Sequence, residues 1–377
     1  MQTIVVSAVN LRKGGTLTIL RQCLEYLSSQ TMTGEWRVVA LVHRRELADY
    51  PGIEYIEIPW TVKGWGRRLW CEYVTMHRLS EQLQPVDLWL SLHDTTPRVK
   101  AKRQAVYCQT SFPFLKWRLQ DLRFDPKIVL FALFTRFAYR INIHRNRYLI
   151  VQAEWLRDGF AKMFHLPKER FIVAPPSKPS MEVYEDHRTT RNDVMASVHR
   201  ANFLVVATPD CHKNFETVCE AARLLENDLG TDAFRVTLSV KGDENRYARW
   251  LKAKWGNVQS IDFAGFLPKD QLYAHYAQDD CLIFPSRVET WGLPISEFGV
   301  TGKPMLLADL PYAHETAGGC SQVAFFEALS SVQLCDLMKD ACNGEWNHFR
   351  PVPRKKADRG MVAEDWSHLF FLLTNNN

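Results

Sequence analysis

The feature that most constrains this 377-residue chain is a rhythm it runs through twice. Short, mostly apolar stretches alternate with longer segments of helical period. In the first half the apolar stretches are Ile4–Val9, Val38–Val42, Tyr55–Pro59, Leu88–Leu92, Ala105–Cys108 and Tyr148–Val151, with helical patterns over Leu17–Leu27 and Arg68–Leu83. Strands with apolar residues on both faces, joined by helical crossovers, pair in parallel and are covered on both sides. The fold class is therefore α/β.

The rhythm breaks once, at IVAPPSKPSMEVYEDHRTTRND from Ile172 to Asp193, a run rich in Pro, Ser and charge that reads as a linker. It then restarts with strands over Phe203–Ala207, Phe234–Val240, Ser260–Ala264, Cys281–Phe284 and Pro304–Ala308. Helices are expected over Asn214–Glu226, Asn245–Trp255, Lys269–Tyr276 and from about Leu293. The expected organisation is a first domain over 1–175, a linker over 176–197, a second domain over 198–350 and a C-terminal segment over 351–377. In open sheets of this kind ligands bind beyond the carboxyl ends of the strands, which here predicts a site in the cleft between two halves.

Composition excludes several classes. With 46% hydrophobic residues the chain is not disordered, and no apolar run reaches the roughly 18 residues of a membrane-spanning helix. The N-terminal MQTIVVSAVN reads as a first strand, since no basic region precedes its apolar stretch. Nine scattered cysteines without a C-x-x-C pair point to reduced thiols and a cytosolic setting. The net charge of +5 is unevenly spread: twelve Lys/Arg stand against Asp121 and Asp125 between Arg98 and Arg147.

The most informative stretch is FPSRVETWGLPISEFGVTGKP, Phe284 to Pro304. A buried strand ends, a polar loop carries Glu289, Gly292 frees the backbone, and a helix carries Glu297 in its first turns. Backbone N–H groups at such a helix start suit a diphosphate, and the two carboxylates suit sugar and ribose hydroxyls. The alternative is that both glutamates merely complement the helix dipole on a solvated face.

The spacing Glu289-x7-Glu297, followed by Gly302-Lys303-Pro304, resembles the signature of retaining glycosyltransferase family 4. Phe263-Ala264-Gly265-Phe266-Leu267-Pro268, His212-Lys213-Asn214-Phe215 with Glu220-Ala221, the first-strand loop SAVNLRKGG and the segment from Trp366 resemble further parts of that family. The resemblance implies a GT-B fold, two Rossmann-like domains about a cleft, with a C-terminal helix crossing back to the first. It implies that Glu289 touches the donor sugar, Glu297 the ribose, and Lys213 the diphosphate, helped by the backbone of Thr290, Trp291, Gly292 and Leu293. Gly14 and Gly15 would let the first loop approach the donor, and Gly265, Phe266 and Leu267 would lie near the base.

The sequence departs from the family at two places. Ala207 stands where relatives carry an arginine, which leaves His212 and Lys241 as candidates for added phosphate neutralisation. Gln109 stands where a histidine is expected, which makes His93 a candidate catalytic residue, with Asp94 and Gln109 as acceptor-side candidates. Within Phe112 to Arg147, Arg136 and Arg140 fall on one face of a strongly apolar helix, suited either to a membrane interface or to ordinary core packing. No nucleic-acid motif accompanies it. The resulting expectation is a cytoplasmic, metal-independent retaining hexosyltransferase without a cofactor, using a nucleotide-sugar donor. Its acceptor would be a polyprenyl-diphosphate-linked oligosaccharide at the inner membrane surface, in O-antigen or capsule assembly. The alternatives are a nucleotide-sugar epimerase or hydrolase on the same fold, or a non-catalytic nucleotide-sugar or polysaccharide-binding assembly protein.

Overall fold

The computed structural model describes residues 1–176, 200–354 and 360–375. All but the first residue of the expected linker, 176–197, lies outside the described residues. The chain divides into two compact units. The first contains β1 (Gln2–Ala8), β2 (Trp36–Val42), β3 (Ile53–Glu57), β4 (Leu88–Ser91), β5 (Arg103–Cys108), β6 (Tyr148–Val151) and β7 (Phe171–Val173). The second contains β8 (Ala201–Val205), β9 (Phe234–Leu238), β10 (Ile261–Phe263), β11 (Cys281–Phe284), β12 (Met305–Ala308) and β13 (Val323–Phe326). The last strand, β14 (Met361–Val362), belongs to the first unit.

The helices are α1 (Gly14–Thr31), α2 (Trp65–Trp70), α3 (Met76–Gln82), α4 (Leu119–Phe124), α5 (Pro126–Arg140), α6 (Glu154–Phe164), α7 (Phe215–Leu229), α8 (Arg246–Trp255), α9 (Lys269–Gln278), α10 (Leu293–Gly299), α11 (Pro311–Thr316), α12 (Ser331–Cys342) and α13 (Trp366–Asn375).

Both sheets are parallel throughout, in the orders β14-β7-β6-β5-β4-β1-β2-β3 and β10-β9-β8-β11-β12-β13. The period of two sends alternate residues into the layers on either side, so the central strands are apolar on both faces. Ile4, Val6 and Ala8 enter one core with Leu20, Leu24 and Leu27 of α1. Val5 and Val9 enter the opposite core with Trp89, Cys71 and Met76. The first core is closed by α13, whose Phe370 stacks on Tyr26 at 5.5 Å and tilts against Trp36 at 5.8 Å.

Three features depart from the sequence reading. The supposed linker begins as β7, since Ile172 and Val173 pair with β6. The single helix expected over Arg68–Leu83 is broken by a π turn, Cys71–Thr75, which buries Glu72 beside Arg68 at 2.8 Å. Phe114–Ala132, expected within an unbroken first domain, packs with the second unit. There α4 is fixed by a two-pronged ion pair from Arg287 to Asp121, at 2.5 and 3.0 Å, and Phe124 packs on Tyr247 and Trp250.

Phe370→Ala is expected to lower the stability of the first unit by about 3–5 kcal/mol, the usual cost of removing a fully buried phenyl ring, as measured by urea unfolding followed through tryptophan fluorescence.

Candidate functional site

Strand order locates a site in each unit before any side chain is considered. In the second sheet the chain proceeds outward from β8 through β9 to β10, then returns to place β11, β12 and β13 on the other side. The crossovers leave β8 and β11 in opposite directions, so a crevice opens at their carboxyl ends. Lys213 lies in the loop after β8 and Glu289 in the loop after β11. Lys213 Nζ donates to Glu289 Oε1 at 2.5 Å, with both side chains about 15% exposed.

The two loops are laced together around that pair. Asn214, wholly buried and left-handed at φ 62°, donates through Nδ2 to the carbonyls of Pro285 (3.1 Å) and Ala328 (2.6 Å). The Arg287 backbone N–H donates to the His212 carbonyl at 2.8 Å, and its Nη2 to the Cys211 carbonyl at 3.2 Å. Asn214 can hold this backbone because Asn tolerates the left-handed region. Gly292 is required by φ 92° and by crowding: a Cβ there would meet Ile295 at 3.2 Å and Phe284 at 3.4 Å.

The remaining donor-side candidates sort by what they touch. Glu297 on α10 accepts from the Tyr276 hydroxyl at 3.0 Å, and burial raises its carboxyl above the usual range. Phe266 is 86% exposed after the left-handed Gly265, beside Lys241, whose ammonium pairs with Asp243 at 3.0 Å. Leu293 is exposed, whereas Trp291 is buried and donates through its indole N–H to the Ser296 hydroxyl. The Trp291 ring is thus a packing element, and only its backbone fits the expected role. His212 is buried, with its imidazole driven well below the usual range by burial and the nearby Lys213 and Arg287 charges. Lys303 of the Gly302-Lys303-Pro304 motif donates to the carbonyls of Tyr276, Ala277 and Asp279, capping α9.

The first unit repeats the topology. Its order reverses between β1 and β4, and the candidates lie at those carboxyl ends. Gly14, at φ 64°, and Gly15 have nothing within 4 Å of an added Cβ, so the start of α1 is open. His93, after β4, faces inward. It is 1% exposed, with Nε2 at 3.1 Å from Ser7 Oγ and Nδ1 at 3.0 Å from Thr95 Oγ1. Burial drives its imidazole down to about 4. That seat suits a structural histidine better than the catalytic one expected from the sequence.

Asp94, left-handed at φ 67°, accepts from the Gln109 backbone N–H at 2.5 Å, and burial pushes its carboxyl up to about 6. The Gln109 side chain donates to the Leu92 carbonyl at 2.7 Å.

On α5 the buried face holds Ile128, Val129 and Tyr139, while Leu130, Leu133, Phe134 and Phe137 stand exposed, Phe134 by 59%. Arg136 lies over the Phe137 ring at 4.6 Å. Sequence reading missed a second exposed ridge on α2, where Trp65, Leu69 and Trp70 flank Arg67. Its Trp-Gly-x-x-Leu-Trp spacing is the signal that marks it. No described helix is long and apolar enough to cross a membrane.

Residues 188–328 match the family described as Glycosyl transferases group 1. The O-antigen chain mannosyltransferase RfbU of Salmonella typhimurium strain LT2 is 21% identical over 238 residues, 60% of this chain and 62% of that protein. The match thus spans about three fifths of the relative's length.

Similar solved structures include WaaG, a glycosyltransferase involved in lipopolysaccharide biosynthesis (TM-score 0.59, 17% identity, 91% of this chain and 90% of that one). Sucrose-phosphate synthase from Thermosynechococcus elongatus aligns with a TM-score of 0.61 at 12% identity, over 92% of each chain. Anabaena HepE, solved with UDP and glucose, aligns at 0.58 and 13% identity, also over 92% of each. These likenesses establish the GT-B fold.

The buried histidine yields a pH test. Its folded pKa lies below the unfolded value near 6.5, so the stability it contributes is present above pH 6.5 and is lost as pH falls toward 4. His93→Asn is therefore expected to be less stable than the parent at pH 7.5, with the gap in melting temperature narrowing by pH 5. Parallel profiles would remove the ring from this account.

Proposed function

We propose, from the match of residues 188–328 to the Glycosyl transferases group 1 family and from the GT-B fold, that this chain moves a hexose-type sugar from a nucleotide-sugar to an acceptor hydroxyl with the anomeric configuration retained. The observation that carries the reading is the contact of Lys213 with Glu289 at the switch point of β8 and β11. A cation and a carboxylate in contact at such a crevice are suited to the two halves of one ligand, a diphosphate and a polyol.

In this reading Lys213 exchanges its carboxylate partner for the donor diphosphate, and Glu289 turns its released oxygen to the sugar hydroxyls. Glu297 accepts from the ribose diol, and exposed Phe266 offers a face on which a base stacks. The acceptor oxygen attacks the anomeric carbon on the side from which the diphosphate leaves. The bond from that carbon to the phosphate oxygen breaks, and the departing oxygen takes the acceptor's proton. Fixed positive charge stabilises the charge that develops there, so the reading needs no metal or cofactor.

The acceptor is proposed to be a polyprenyl-diphosphate-linked oligosaccharide of a bacterial surface polysaccharide, at the cytoplasmic face of the inner membrane. Names among the relatives support that setting: RfbU is an O-antigen mannosyltransferase and WaaG acts in lipopolysaccharide biosynthesis. The exposed aromatic and aliphatic residues of α5 and α2, interleaved with Arg136, Arg140 and Arg67, support attachment to an anionic bilayer surface.

Lys213→Ala and Glu289→Ala are each expected to lower kcat/KM for nucleotide-sugar turnover by about 100-fold or more, measured with lipid-linked acceptor in detergent. Activity that survives both changes would refute the site. Arg136→Glu with Arg140→Glu is expected to weaken co-sedimentation with phosphatidylglycerol vesicles by about tenfold or more, at roughly 1 kcal/mol per cation lost. Unchanged sedimentation would reduce α5 to a packing helix.

A further inference from the structure

The opposite edge of the first sheet carries a second charged site that the donor-side residues leave unused. The starts of β5, β6 and β7 open on a groove of about 740 Å³. Arg103, Arg145, Arg147 and Arg170 line it with Lys102 and His144, against the single carboxylate of Glu169. Register brings these residues together. Ala105 pairs with Tyr148 and Leu149 with Phe171, so the cations at or just before each strand stand side by side, about 4.8 Å apart per strand. The six residues of β5 put these strand starts roughly 17–20 Å from Gln109 and Asp94 at its other end.

Three of the guanidiniums are held by backbone carbonyls. Arg103 donates to Leu373 at 3.3 Å and to Thr374, Arg145 to Val99 at 3.3 Å, and Arg170 to His144 at 3.0 Å and to Asn146. Each arginine uses one nitrogen in these bonds, and a guanidinium has five N–H donors. Lys102 pairs with Asp87 at 2.6 Å, but among the described residues none of the four arginines makes an ion pair. Arg170, half-buried, is pushed below the usual guanidinium range by burial and by the Arg147 charge.

Arginines on a plain solvated surface separate and stay mobile. Here carbonyl anchors hold like charges together in a concave wall, which concentrates positive potential and leaves the guanidinium donors far in excess of the one carboxylate, Glu169. Several forked guanidiniums around one cavity match the acceptor oxygens of a phosphate group, and only weakly those of a single carboxylate.

We propose that this groove binds a phosphate or diphosphate ester, as a second anion site separate from the donor site. The phosphate is either that of a soluble ester or that of a lipid headgroup, and the chemistry of recognition is the same for both.

Inorganic pyrophosphate is the probe, titrated calorimetrically into full-length Lys213→Ala protein so that the donor-side lysine does not contribute. A saturable isotherm is expected, at least tenfold weaker when Arg145→Glu and Arg147→Glu are added. Both positions are exposed, and the milder Arg145→Gln with Arg147→Gln pair, expected to bind at least threefold more weakly, covers any loss of folding seen by circular dichroism. Vesicles of phosphatidylcholine mixed with phosphatidylglycerol, whose anionic headgroups give a negative surface potential, identify the source. Retention that falls in the Arg145→Glu, Arg147→Glu protein assigns a lipid headgroup, and equal retention alongside weakened pyrophosphate binding assigns a soluble ester. Absence of saturable pyrophosphate binding, or affinity unchanged in both arginine pairs, overturns the proposal.

Discussion

Lys213 and Glu289 are 76 positions apart in the chain and meet because β8 and β11 are neighbours in a parallel sheet. That adjacency follows from the reversal of strand order, which also leaves the carboxyl ends of those two strands free of any crossover between them. A sheet wound in one direction only would cover the same position with a helix. The chemistry available to the second unit therefore depends on where the chain turns back.

Holding the pair in place takes more structure than the pair itself. Asn214 ties the lysine loop to two carbonyls, and Arg287 ties the glutamate loop both to the Cys211–His212 backbone and to Asp121. Arg287 and Asp121 are nearly wholly buried, at 6% and 2% side-chain exposure. Such an ion pair does little for net stability against an apolar replacement, yet losing either member strands the other in a medium that does not solvate it. The pair acts as a fixed strut between α4 and the loop that presents Glu289.

The sequence was readable where burial imposed a period. Strands in a covered sheet appear as mostly apolar runs, and eleven of the fourteen described strands were legible. β7, β13 and β14 were not: β14 is only two residues long, and β7 runs straight into the Pro- and Ser-rich stretch that reads as a linker. Glu289, Lys213 and Glu297 were singled out by their resemblance to a family motif, and the structure brings the first two into contact. Side-chain direction was not legible. His93 and Trp291 stand in loops at strand ends, where no periodicity states which way a ring points, and both turn inward. Arg287 and Asp121 were missed for another reason, since a contact across 166 positions leaves no local trace.

The closing of the first core by α13 has a consequence for biosynthesis. Phe370, Leu369 and Leu373 fill the space over β1, β2 and α1, and β14 completes one edge of the same sheet. Nascent chains fold by units from the leading end, but here that end waits for residues translated after the whole second unit. A ribosome therefore exposes an unfinished apolar face throughout synthesis of the second unit. Early termination would leave that surface bare, and so would a bulky fusion that displaced the last helix.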